Sequence, residues 1–256
     1  MNTVISKLLV YVYNGYNKDV YYEMSIYILS HLSMIQKMTV SEFAQNCHTS
    51  LATVKKFCQI LGYKDFNVMK RFLFSMIEGR KKQIEERYLT FDEKQILKEI
   101  ECICQTKIDR KQWLETIEKI VDDIHSAESV SIAGANYPLF LAFNFIEDML
   151  IFNKNCFIQN LDCRIENYFN DCDAYVLLIT ITGRIFILNQ AKSQIMQDAH
   201  AQFGIISQNI STKDKIKNVN SFIQLPGDND SESLNLIILN ILILIKFIYY
   251  RKYVIK

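Results

Sequence analysis

Thr53, Lys56 and Gln59 stand at i, i+3 and i+6, so a helix through them brings all three side chains to one face. Lysine donates to guanine or to phosphate, and glutamine reads adenine. Ser50, Ala52 and Lys55 also fall outside the apolar positions of this stretch, which leaves a short polar and basic face over the first helical turns. That is the side-chain set with which a helix reads the major groove of DNA. Thr39 and Ser41 open the segment before it, where hydroxyls and unpaired helix-start amides suit a phosphate. Lys64, Lys70 and Arg71 extend the basic footprint.

The elements that must position these residues lie between Thr39 and Gly62. Thr39 caps a helix whose apolar positions are Val40, Phe43, Ala44 and Cys47. The small Ala44 lets a second helix cross closely. Cys47-His48-Thr49 is the turn, and Ser50 caps a second helix with an inner face of Leu51, Val54, Phe57, Cys58 and Leu61. Gly62 ends it. His48 occupies the turn position where glycine is common; histidine tolerates a positive φ better than a β-branched residue does. Two earlier helices are predicted over Val4–Tyr13 and Tyr22–Leu32, with Ile26, Leu29, Met34 and Ile35 as core candidates. A further helix runs from Asp65 to Ile77.

Composition sets the frame. The chain has 256 residues, half of them apolar, with 7 glycines and 2 prolines, which predicts a sizeable core and many helices. Residues 1–90 carry 12 Lys and Arg against 7 Asp and Glu, whereas the remainder carries 17 against 21. A basic head on an acidic body suits a polyanion-binding domain joined to a domain with another task. The 7 cysteines form no CxxC, and Cys102 with Cys104 lacks any accompanying ligand pattern. A reducing compartment, no metal and no cofactor are therefore expected. No secretory leader is expected either. Leu234–Tyr250 is apolar over nearly the length of a membrane span, but Asn235, Asn240 and Lys246 interrupt it. It reads as the buried core helix of a soluble domain, and the alternative is a membrane-tethered sensor.

From Ser129 onward the hydrophobic period changes. Ser129–Gly134, Cys156–Ile158, Tyr175–Ile181, Gly204–Ile206 and Ser221–Leu225 read as strands, separated by helical stretches at Pro138–Ile151 and Ile185–Ala201. Strand–helix alternation implies a mostly parallel sheet with covering helices. The predicted fold class is α/β with an all-α N-terminal domain. The domains are 1–78, a charged linker at 79–98, and an α/β domain at 99–256 that begins with helical segments around Trp113.

Ala52-Thr53-Val54, Lys56-Phe57-Cys58, Leu61-Gly62-Tyr63 and Phe66 occupy signature positions of the N-terminal domain of RpiR-type (MurR/RpiR) bacterial transcriptional regulators, which this stretch resembles. In that family a sugar isomerase (SIS) domain follows, and the element order from Ser129 is similar to one. The resemblance implies a cytoplasmic homodimer or higher homo-oligomer that binds double-stranded DNA, controls genes of sugar metabolism, and responds to a sugar phosphate. It places an effector site at Gly134, Asn136, Thr180, Thr182, Gly183 and Arg184.

The sequence departs from the family at those loops. Asn136 stands where a second glycine is usual, and Pro138 where a serine is usual. The Ser-x-Ser-Gly-x-Thr loop reads Thr180-Ile181-Thr182-Gly183-Arg184-Ile185. Thr180 and Thr182 keep hydroxyls and Arg184 adds charge, but Pro138 removes an amide donor and Ile185 a hydroxyl. A degenerate phosphosugar site is expected. The rival reading is a sugar-phosphate isomerase or binding protein of the SIS class. Isomerisation needs a base beside a carbonyl; Glu147, Glu166, Glu232 and His200 are the candidates, and none sits in a recognisable catalytic pattern.

Overall fold

A computed structural model describes residues 4–14, 18–161, 169, 171–188, 190–227 and 232–255. The chain forms two compact units, Met1–Thr90 and Phe91–Lys256, that meet inside the stretch read as a linker.

The first unit is helical: α1 (Val4–Tyr13), α2 (Val20–Ser30), the single turn α3 (Leu32–Ile35), α4 (Val40–Asn46), α5 (Leu51–Ile60) and α6 (Phe66–Leu89). Short polar side chains set most of the starts. Asp19, Thr39, Ser50 and Asp65 each accept a backbone amide of the first turn of α2, α4, α5 and α6. Met24, Ile28, Ile35, Phe43, Val54, Phe57 and Met69 are wholly buried. The Phe43 and Phe66 rings stack with centroids 4.7 Å apart and lock α4 against the start of α6. Two expectations need correction. Met34 is 57% exposed and Leu51 is 52% exposed. Both lie in the opening turns of their helices, where the apolar stripe has not yet come round to the core.

The second unit starts with α7 (Glu93–Cys104) and α8 (Arg110–Ser126). Then β1 (Ser129–Gly134), α9 (Asn136–Ile151), β2 (Cys156–Asn160), β3 (Ala174–Ile179), α10 (Ile185–Leu188), α11 (Gln190–Gln197), β4 (Gln202–Ser207), β5 (Val219–Gln224) and α12 (Glu232–Tyr249) follow. The sheet has five strands in the order β2-β1-β3-β4-β5, and every pairing is parallel. Every residue of β3 is buried, as its unbroken apolar run requires in a sheet covered on both faces.

The stretch Glu232–Val254 is long and apolar enough to cross a membrane, yet two thirds of it is buried within this unit. It packs against α7, α8 and α9. The charge of Lys246, deep in that helix, is met by a partner: its Nζ lies 3.0 Å from Asp148 Oδ2 of α9, with both side chains almost fully buried. Cys58 and Cys156 are buried too, and burial pushes the Cys58 thiol up to about 12, so it serves as a small apolar side chain.

Candidate nucleic-acid interface and ligand cleft

The turn between α4 and α5 is built from backbone hydrogen bonds. Thr49 donates to the Ala44 carbonyl at 2.9 Å and His48 to Gln45 at 3.0 Å, with His48 at φ +49°. This closes α4 with a Schellman motif. The end of α5 repeats it: Tyr63 donates to Cys58 at 2.8 Å and Gly62 to Gln59 at 2.9 Å, with Gly62 at φ +86°. Two helices stopped in the same way, joined by a three-residue turn, make a helix-turn-helix.

Along α5, Val54, Phe57 and Cys58 face the core, while Ala52, Lys55, Lys56 and Gln59 are exposed. Among the described residues neither Lys55 nor Lys56 is held by a carboxylate or carbonyl, so both ammonium groups stand available to an outside anion. The Ser50 hydroxyl accepts the Thr53 amide at 3.1 Å and lies 2.9 Å from the Thr53 hydroxyl, which fixes the first turn. Ser41 is exposed at the second position of α4, where its amide has no partner within the helix.

Two of the residues expected at phosphate also make bonds within the chain. Thr39 gives its amide (2.7 Å) and hydroxyl (2.8 Å) to the Glu42 carboxylate, in a capping box. Those bonds hold the Glu42 carboxyl below its ordinary value. Lys70 donates to the Met38 carbonyl at 2.6 Å and so braces the strand of chain leading into α4. A residue that sequence reasoning missed is Lys7. Its Nζ donates to the Leu61 carbonyl at 2.8 Å and lies 4.8 Å from the centre of the Tyr63 ring, capping the end of α5 from α1. Fifty-four positions separate the partners, so no local pattern announces the bond.

In the α/β unit the strand order reverses between β1 and β3, and a cleft of about 220 Å³ opens at their carboxyl ends. The turn into α9 contributes Ala135, Tyr137 and Pro138, and the loop after β3 contributes Ile179, Thr180, Ile181, Thr182, Arg184 and Ile185, with Leu161 beside them. The structure thus brings Thr180, Thr182 and Arg184 together. Asn136 opens α9, but its side chain lies outside the described set.

The two glycines expected at the effector each allow a close approach of the backbone. A Cβ on Gly134 would stand 2.7 Å from the Ile179 carbonyl oxygen, so this glycine permits β1 and β3 to approach. Gly183 turns at φ +70°, and a Cβ there would meet the Thr212 hydroxyl at 2.9 Å.

Among the described residues the cleft presents no carboxylate and no imidazole. Glu147 is buried in α9, Glu232 and His200 are exposed elsewhere, and Glu166 lies outside the described residues. A second, more acidic cleft of about 390 Å³ sits at the amino ends of β1, β3 and β4, lined by Asp123, Glu128, Asp173 and Tyr175 among others. Burial pushes the Asp123 carboxyl above its ordinary value. Nearby, Asp171, Cys172 and Asp173 bring possible ligand atoms within 4.8 Å of one another, all on exposed side chains.

Residues 23–78 match the helix-turn-helix domain of the rpiR family. The rpiR match begins within α2 and ends within α6, so it spans both Schellman stops and all of α5. No curated protein matches the chain. Among solved structures, the NanR protein of Vibrio vulnificus in complex with ManNAc-6P is 15% identical, with a TM-score of 0.45 over 96% of this chain and 92% of that one. A hypothetical protein of Methanococcus jannaschii, whose structure was taken to imply a 3-hexulose-6-phosphate isomerase, is 12% identical. Its TM-score is 0.47 over 65% of this chain and 93% of that one.

Proposed function

We propose that this chain is a cytoplasmic transcriptional regulator that reads a two-fold symmetric DNA site as a homodimer through α5. The carrying observation is the exposed Lys55, Lys56 and Gln59 face on a helix stopped and capped at both ends within an rpiR-family domain. Thr53, Lys56 and Gln59 meet base edges, Lys55 and Ser41 meet phosphate, and Thr39 and Lys70 hold the frame. The α/β unit serves as the sensor, with the cleft at the β1/β3 switch point as its ligand site. That cleft offers no general base among the described residues, which supports regulation over isomerisation.

The test is electrophoretic mobility shift on the operator next to the regulated genes. Lys56→Ala should weaken operator binding by about 1–3 kcal/mol at moderate salt, while circular dichroism and melting stay as in the parent chain. Unchanged affinity at two salt concentrations would remove Lys56 from the interface.

A further inference from the structure

Two helices of the α/β unit are apolar on their outer faces as well as their inner ones. In α9, Leu139, Ala142, Phe145 and Ile146 are buried, yet Tyr137 is 59% exposed and Phe140 56% exposed. Tyr137, Phe140, Leu141 and Asn144 stand at i, i+3, i+4 and i+7, so they share one stripe. Phe143 stacks on Phe140 with ring centroids 5.8 Å apart. In α12, Ile237, Ile238 and Ile241 are buried, yet Leu236 is 53% exposed. Leu239 and Ile243 continue its stripe and are partly exposed. The two stripes adjoin. α9 packs against α12, and Asn235 Nδ2 lies 3.4 Å from the Tyr137 hydroxyl. A surface helix turns a charged and polar face to water; one that is apolar all round belongs to an interior.

The size and the charge of this face say what covers it. Tyr137, Phe140 and Leu236 alone leave roughly 300–400 Å² open to water, already within the about 300–600 Å² of the largest patch that a monomer keeps. With the partly exposed residues beside them the face comes to roughly 500 Å². Paired across a two-fold axis it gives about 1,000 Å², the size a stable interface needs. In a chain that is 22% charged, no charged residue occurs from Asn136 to Ile146 or from Ser233 to Ile245. Exposed aromatic rings without charge are the composition of an interface core. A helix that lies on a membrane carries Lys and Arg beside its apolar face, and these two stretches carry none. The chain after residue 90 holds 17 Lys and Arg against 21 Asp and Glu. Two such acidic bodies repel unless they meet where charge is missing.

We infer that a second copy of this chain docks on the α9–α12 face, related by a two-fold axis that buries Phe140 and Leu236 of both copies. This rests on the homodimer reading above and assigns it a surface.

The experiment is sedimentation velocity of the full chain over a dilution series, comparing the parent with Phe140→Glu, Leu236→Glu and Phe72→Glu. Phe72 is 51% exposed on α6 of the N-terminal unit and serves as the control. Each of the first two changes should raise the dimer Kd at least about a hundredfold, since the axis counts it twice. Phe72→Glu should leave the Kd unchanged. Circular dichroism and melting check the fold. Should a glutamate variant melt below the parent, Phe140→Ala and Leu236→Ala decide instead, each raising the Kd about tenfold. A dimer as tight in the Phe140 or Leu236 variants as in the parent would overturn the inference and leave the homodimer reading standing. So would a dimer loosened by Phe72→Glu. A parent chain that stays monomeric at every concentration would defeat both. Pelleting of the parent with anionic phospholipid vesicles, lost in Phe140→Glu, would give the face to a membrane and overturn the inference.

Discussion

His48 turns the chain between α4 and α5 in the left-handed region, where a side chain costs about 1–2 kcal/mol. Its own side chain is exposed. His48→Gly should relieve that strain, less the extra freedom glycine gives the unfolded chain. Denaturant unfolding should show a gain of about 0.5–1 kcal/mol; a loss would mean that the imidazole contributes a contact to the fold. The turn itself was legible in sequence because capping hydroxyls at Thr39 and Ser50 and the terminating Gly62 are local signals. The fates of Thr39 and Lys70 were not. A capping threonine and a phosphate-binding threonine look alike in a string of letters. The bonds of Thr39 to the Glu42 carboxylate and of Lys70 to the Met38 carbonyl depend on how the fold places them.

At the scale of elements, periodicity located the strands and most helices, since each apolar run had to meet a core. It left open whether the charged stretch after Ile77 is a linker helix or a hinge. The charged stretch after Ile77 remains in α6 as far as Leu89, since its Lys, Arg, Glu and Gln favour a helix and offset the single Gly79. The apolar α12 was legible as a core helix from Lys246, a residue that a lipid-facing helix would not readily carry. Its partner Asp148 was not, being 98 positions away. Removing the Asp148 charge takes a close carboxylate partner from the buried Lys246 ammonium. Asp148→Asn should therefore destabilise the chain by about 3–5 kcal/mol, whereas the double change Asp148→Leu, Lys246→Met should recover most of that loss. Chemical denaturation of the three proteins checks this, and a double variant as weak as the single one would show that the pair is needed for more than charge balance.

For the whole molecule, the charge split between the halves was visible in sequence and fits the division at Thr90 and Phe91. The effector loops were visible too, but their chemistry was not. Proline and isoleucine substitutions announce what was lost, and only the assembled walls show how apolar the cleft has become. Reading a symmetric operator needs two copies of α5. The full chain should sediment as a dimer, and halving the operator to one half-site should cut affinity at least about a hundredfold, since a second tethered contact contributes that much. Equal affinity for one and two half-sites would argue for a monomeric reader.

The bond from Lys7 to the end of α5 has a practical corollary. A minimal DNA-reading fragment trimmed to the rpiR match at residues 23–78 discards the strut that steadies α5. Deletion mapping of operator recognition should therefore place the functional start upstream of α1, and a bulky tag fused close to Val4 belongs at the other terminus instead.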